Sequence, residues 1–204
     1  MKDLLIVCAD KDAELLFKGL LPRMKTIEGY ENIEYEIIAH PYHDSGIAHN
    51  VSEFVRPFIT THKFLLVVFD YEGCGMENED ENSVELLIKG KLTENGWRDR
   101  NAVVVIKPEL EEWIWVNEVH LRAICDYQEL SSIYQLLNEN GFCMRNEEKP
   151  QRPKEAFEYI LRYTETPRSS NLFANVASRA SYQRCKDVSF KKFLDYMNKW
   201  FKNS

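Results

Sequence analysis

A mainly parallel α/β sheet covered by helices, followed by a C-terminal helical extension, is the fold this sequence predicts, on three observations. Residues 3–9 (DLLIVCA), 64–69 (FLLVVF) and 102–106 (AVVVI) are short unbroken apolar runs, the pattern of strands buried on both faces. Segments with helical spacing of apolar residues lie between and after them, as parallel pairing requires. Each run also ends on acid: Asp10, then Asp70-Tyr71-Glu72, then the stretch from Glu109 to Glu112.

The first strand is followed by a helix over 12–24, where Ala13, Leu16, Phe17 and Leu20 share a face and an acidic residue suits the N-terminus. Residues 33–39 (IEYEIIA) alternate as a second strand. The turn-rich HPYHDSG segment then leads to a helix around 49–60 that Pro57 shortens. After the central strand 64–69 come a glycine-containing loop (Gly73, Gly75), a solvated acidic stretch over 77–82 and an amphipathic helix over 83–94, ended by Asn95-Gly96. The last strand, 102–106, runs into Lys107-Pro108, and Pro108 with the carboxylates after it predicts a helix start. From Glu118 onward the chain reads as helical, with one helix over 128–140 and Gly141 as its stop, then a polar connector over 145–153. Helical periodicity returns at 154–162, 171–180 and 190–201.

At 204 residues and 44% hydrophobic content the chain has enough material for a core of its own. Nothing in it reads as a signal peptide or a bilayer-spanning run, so no membrane association and a cytoplasmic location are expected. The five cysteines form no CxxC pair and are expected as free thiols, with a structural role for both Cys8, in a strand, and Cys74, in a glycine-rich loop where exposure is the alternative. The net charge of -7 hides a division: residues 1–148 carry 14 Lys/Arg against 28 Asp/Glu, whereas residues 149–204 carry 12 against 5. An α/β domain over 1–148 and a basic helical extension over 149–204 packed on it follow as the expected organisation. An acidic body does not attract a phosphate backbone unaided, so contact with nucleic acid requires the basic segment or bridging metal ions; docking on the body is the other use of that segment.

Carboxylates at the C-terminal edge of a parallel sheet meet in the crevice where such folds bind ligands. Asp10, Asp70 and Glu72 are therefore the candidate metal ligands. Asp70 and Glu72, one residue apart, face the same side if the loop stays extended. Mg²⁺ or Mn²⁺ suits such oxygen donors and neutralises charge on a phosphoryl group. Glu109 and Glu112 are candidates for a further ligand or a general base, and Lys107 for steadying a transition-state phosphate. Asp10 and Glu109 also have plain structural uses, as a helix cap and as a partner for a helix dipole. Glu111 and Glu112 fit a solvated helix face with only one of them turned to the crevice. Trp113 and Trp115 read as core. His40 and His43, beside Asp44, lack a third ligand at a known spacing and read as loop residues.

These residues resemble the Toprim fold, the metal-binding catalytic domain shared by topoisomerases, primases and OLD-type nucleases. Asp10 stands where that family carries a glutamate after its first strand, and Asp70 with Glu72 stand where it carries an aspartate pair. The stretch from Lys107 to Trp115, Arg152-Pro153-Lys154 and the segment 185–193 are similar to small bacterial Toprim-like proteins found beside ATPases in defence loci. The likeness extends to a component of a methylation-associated phage-defence system. It implies a Mg²⁺- or Mn²⁺-dependent nuclease or phosphodiester-processing protein of anti-phage defence, with an ATPase or other defence proteins as partners. Arg152, Lys154, Arg168, Arg179 and Arg184 are candidates for nucleic-acid or partner contacts. A non-catalytic adaptor on the same fold is the competing class. A receiver-like signalling domain is a third reading, since Asp70 and Lys107-Pro108 fit its acceptor and lysine. Against it stand the long separation of Asp10 from Asp70, the single acid after the first strand and the helical tail.

Overall fold

The computed structural model describes residues 1–28, 30, 33–115, 118–145, 149–179, 182 and 185–202, the side chains of 26–28 and 145 excepted. Four parallel strands form the sheet: β1 (Lys2–Cys8), β2 (Tyr35–Ala39), β3 (His62–Asp70) and β4 (Asn101–Ile106), in the order β2-β1-β3-β4. The three runs read as buried strands are the three that fill the interior of this order and its β4 edge, and Leu4 to Cys8 and Leu65 to Phe69 are almost wholly buried.

Alternation sorts the strand side chains into two cores. Leu4, Ile6, Cys8, Leu66, Val68, Ala102, Val104 and Ile106 face one layer of helices: α1 (Lys11–Glu28), α6 (Pro153–Tyr163), α7 (Asn171–Arg179) and α8 (Val188–Phe201). Leu5, Val7, Leu65, Val67, Phe69, Val103 and Val105 face α2 (His43–Phe54) and α3 (Glu81–Leu92). Each fully buried Leu, Val or Phe side chain stabilises the fold by about 1.5–3 kcal/mol relative to exposure, so the two faces account for most of the cohesion. The C-terminal segment is part of the larger core. Trp113 packs edge-on against Phe17 and Phe190, its indole N–H donating to Ser189 Oγ at 2.8 Å, and Trp115 donates to the carbonyl of Pro153 at 3.0 Å.

Four sequence expectations are corrected. Helix α2 starts at His43, not near 49, because Ile47, Ala48, Val51 and Val55 already form its buried face and the turn residues before them join its first turn. No α-helix follows Pro108; residues Leu110–Trp113 form one 3₁₀ turn, tight enough to bury Leu110, Glu111, Glu112 and Trp113 together. The helix expected over 128–140 is only α5 (Ile133–Glu139), capped by Ser132 Oγ accepting from the N–H of Gln135, while the helical character expected from Glu118 onward is met by α4 (Glu118–Ile124). The polar connector contains a small antiparallel pair, β5 (Met144–Arg145) with β6 (Lys149–Pro150), which hydrophobic periodicity has no means of signalling at two residues per strand. Cys74, by contrast, is fully buried, in keeping with the structural use expected of it.

Helices α1 and α7 cross at Gly19, where an added Cβ would lie 2.4 Å from the carbonyl oxygen of Ala174. The clash is with backbone, which cannot rotate away. Gly19→Ala gains roughly 1 kcal/mol of helix propensity and loses roughly 1–3 kcal/mol to overpacking. A net fall in stability by urea unfolding is expected, whereas a gain would mean that the two helices separate freely.

Candidate functional site

Parallel strands all end on one edge, and the order β2-β1-β3-β4 makes the gap between β1 and β3 the point where the chain changes direction across the sheet. Cys8 pairs in register with Val68, and Asp10, just beyond the end of β1, lies close enough to Asp70 for its charge to raise the Asp70 carboxyl. Asp10 caps α1, its Oδ1 accepting from the N–H of Ala13 at 3.0 Å. The structural use and the crevice position expected for Asp10 therefore coexist.

Asp44, in the first turn of α2, enters the same space and its Oδ1 accepts from the backbone N–H of Asp70 at 2.8 Å. Burial raises the Asp70 carboxyl well above its ordinary range, with the charges of Asp44, Glu111 and Asp10 adding to the effect and a Leu110 backbone hydrogen bond opposing it. Burial likewise raises Asp44, the Asp70 N–H opposing and Asp10 adding to the rise. Asp10, Asp44, Asp70 and Glu111 thus form one interacting acidic group, supplied by the ends of all four strands. Sequence reasoning passed over Asp44 as part of a histidine-containing loop. The signal that would have found it is the spacing of Ile47, Ala48, Val51 and Val55, which places Asp44 in a first helical turn.

The expected pair Asp70 and Glu72 divides between two parts of the crevice. Glu72 is exposed, anchored through its backbone N–H to the carbonyl of Pro108 at 3.0 Å, and its charge acts on Glu109. Glu109 is buried, and burial raises its carboxyl while Lys154 opposes through its charge, 3.6 Å away, and a backbone N–H donating at 3.2 Å. Glu111 and Glu112 are both buried rather than solvated, and they point apart. Glu111 lies with the acidic group, its carboxyl pushed up to about 7 by burial and then by Glu109. Glu112 instead meets Lys149, which donates to its carboxylate at 3.2 Å and to its carbonyl at 2.8 Å. Lys107 turns away from the acids to pair with Glu81 at 2.8 Å and to lie over the Tyr71 ring at 4.8 Å. It lines a cavity of about 550 Å³ together with Asn82, Gln151, Ser189 and Lys192.

Of the basic candidates, Lys154 and Arg168 reach the crevice. Arg168 pairs with Asp12 at 2.6 Å and lies 3.6 Å from Glu111, with its guanidinium over the rings of Phe173 and Phe157. Arg152 is exposed beside Glu155, and Arg179 is exposed at the end of α7. Arg184 lies outside the described residues.

The donor set fits a hard divalent cation by its chemistry: carboxylate oxygens, among them the buried Asp70 carboxyl raised by burial and then by the charges of Asp44, Glu111 and Asp10, are the groups such an ion would relieve. Among the described residues no three His, Cys, Asp or Glu side chains are already gathered to hold an ion, so coordination would need rotation of the side chains.

No family profile matches the sequence, and no curated protein matches it. In three dimensions the chain is similar to the C-terminal region of the OLD protein of Xanthomonas campestris pv. campestris, with a TM-score of 0.54 at 7% identity. The similarity covers 98% of this chain and 94% of that one. The fold is accordingly Toprim-like: a parallel four-stranded sheet between helical layers, extended by C-terminal helices. No helix among the described residues is long and apolar enough to cross a membrane.

Glu111 sets a pH dependence of stability. Its carboxyl titrates near 7 in the folded chain and near 4.5 unfolded, so the folded state holds the proton more tightly. The associated stability is present below about pH 4.5 and lost as pH rises through 7. Glu111→Gln, which keeps the shape without the charge, is expected to match the wild type at pH 4.5 and exceed it at pH 8 by about 3 kcal/mol. Equal stabilities at pH 8, measured by thermal unfolding, would place the Glu111 charge in water.

Proposed function

We propose that this protein is a divalent-metal-dependent nuclease or phosphodiester-processing enzyme that takes Mg²⁺ or Mn²⁺ at the C-terminal edge of its sheet, in a bacterial anti-phage system. The observation that supports it is the convergence of the four strand ends on one crevice, where Asp44, in the first turn of its helix, meets the Asp70 backbone N–H at 2.8 Å and the Asp70 carboxyl is raised by burial first and then by the charges of Asp44, Glu111 and Asp10. Asp10, Asp44 and Asp70 would hold the ion, with Glu111 beside them and Glu72 at the rim. The ion when bound supplies an activated water and neutralises charge on a phosphoryl oxygen. Glu109, kept protonatable by burial and steered by Lys154, is the residue for proton transfer. Glu112 and Lys107, candidates from the sequence, act here as a tie to Lys149 and as a lining of the neighbouring cavity. The likeness to the OLD protein region supports the fold on which this reading rests, and a nucleic acid and a partner ATPase belong to the same proposal.

A second reading, a non-catalytic adaptor for other defence proteins, is favoured by the lack of a ready-gathered ligand cluster among the described residues and by the ion pairs that already engage Glu109 and Glu111. Titration calorimetry with Mn²⁺ separates the two. Binding to the wild type, lost in Asp70→Ala and weakened at least tenfold in Asp44→Asn, is expected, with affinity rising from pH 6 to 8 as the acidic group sheds protons. A wild type that takes up no Mn²⁺ at pH 8 would leave the adaptor. Where metal binds, cleavage of DNA and RNA is then compared in the wild type and in Glu109→Gln, and the variant should be slower by about 10²-fold or more.

A further inference from the structure

The basic residues of the C-terminal segment are not spread evenly over its surface. Lys154, in the first turn of α6, has its ammonium close enough to Glu109, Glu111 and Asp70 that all three raise its proton affinity. Arg168, in the connection between α6 and α7, bridges Asp12 on α1 to Glu111 beyond β4. Its planar guanidinium rests on Phe173 at 4.8 Å and on Phe157 at 5.9 Å, a seat that a lysine would not fill equally. The Arg168 side chain nevertheless remains 34% exposed and that of Lys154 50% exposed, so both have solvent to move into. These cations lie against Glu111 and Glu109, next to the Asp70 carboxylate whose charge reaches Lys154, and a metal ion held by Asp70 would repel them at such short range.

We infer that Arg168 and Lys154 form an internal counter-ion clasp that competes with the divalent ion for the acidic crevice, and that the ion, by displacing them, frees both to grip a phosphodiester backbone. This rests on the metal-dependent reading above and adds an order to it: metal first, substrate second. The clasp holds Glu111 and Glu109 in the metal-free protein. Once the ion has taken over their neutralisation, the guanidinium and ammonium are left beside it as donors to non-bridging phosphate oxygens, for which a guanidinium offers two parallel N–H groups. The shared chemistry is the phosphodiester, and DNA and RNA are its two sources.

The signature is a pair of effects of opposite sign in one variant. Arg168→Gln should bind Mn²⁺ roughly fivefold more tightly than the wild type by calorimetry, because a competing charge has gone. The same variant, saturated with Mn²⁺, should bind a fluorescein-labelled phosphorothioate DNA duplex, or its RNA counterpart, roughly tenfold more weakly by anisotropy. Lys154→Gln should shift both in the same directions, and Arg168→Lys should restore most of the competition with Mn²⁺. In the wild type, amide exchange across residues 164–170 should quicken when Mn²⁺ is added, a readout that does not depend on any substitution folding. Binding of the duplex in one arm alone identifies that nucleic acid as the ligand. Mn²⁺ binding that is unchanged or weaker in Arg168→Gln, with no change in exchange at 164–170, overturns the clasp and leaves the metal site standing. No uptake of Mn²⁺ by either protein overturns the metal-dependent reading and the clasp with it.

Discussion

Every strand of a parallel sheet must end on the same edge, and each carboxylate of the crevice inherits its position from that constraint. The order β2-β1-β3-β4 sets Asp10 near Asp70, brings Asp44 in from the helix after β2, and adds Glu109 and Glu111 from the segment after β4. Like charges held in a partly dry space cost free energy. The fold relieves that cost in three ways. Backbone donors meet several of the acids: the N–H of Ala13 at Asp10, of Asp70 at Asp44, of Leu110 at Asp70 and of Lys154 at Glu109. The basic segment supplies Lys154 and Arg168. Glu111 takes the third route and retains a proton up to about pH 7.

Cations from residues 149–192 lie against acids from the first part of the chain. Lys149, Lys154, Arg168 and Lys192 each meet an acid contributed by the body: Glu112, Glu109, Asp12 and Glu85 respectively. These pairs are partly buried, so desolvation cancels much of their Coulomb gain, whereas the burial of each of Phe157, Phe173, Phe190 and Phe193 contributes about 1.5–3 kcal/mol. The aromatic core therefore attaches the segment, and the charges decide what lies against the crevice once it is attached. The close crossing at Gly19 is part of the same attachment, since a larger residue there would lift α7 and, with it, the seat of Arg168 on Phe173.

Two glutamates adjacent in sequence show why local pattern and site geometry part company. Glu111 and Glu112 belong to one 3₁₀ turn whose threefold repeat sends neighbouring side chains in different directions. One enters the acidic group and the other meets Lys149, which arrives from a strand pair only two residues long. Lys107 shows the same divergence: the strand end that delivers Glu109 inward leaves Lys107 on the outer side, against Tyr71 and Glu81.

The sequence by itself determined the three buried strands, the helices that separate them, the acids at their ends and the amphipathic helices of the tail, because these rest on local periodicity and on the absence of charge from strand interiors. It determined Trp113 and Trp115 as core for the same reason. Asp44 escaped because its helix begins within a run of turn-forming residues, and Glu111 escaped because its direction depends on a single turn between distant partners. The grouping of Asp10, Asp44, Asp70 and Glu111, and the reach of Lys154 and Arg168 into it, were decided by tertiary structure alone. Strand order and helix docking bring together residues as far apart as Asp12 and Arg168, and no local pattern records which strand end will face which helix.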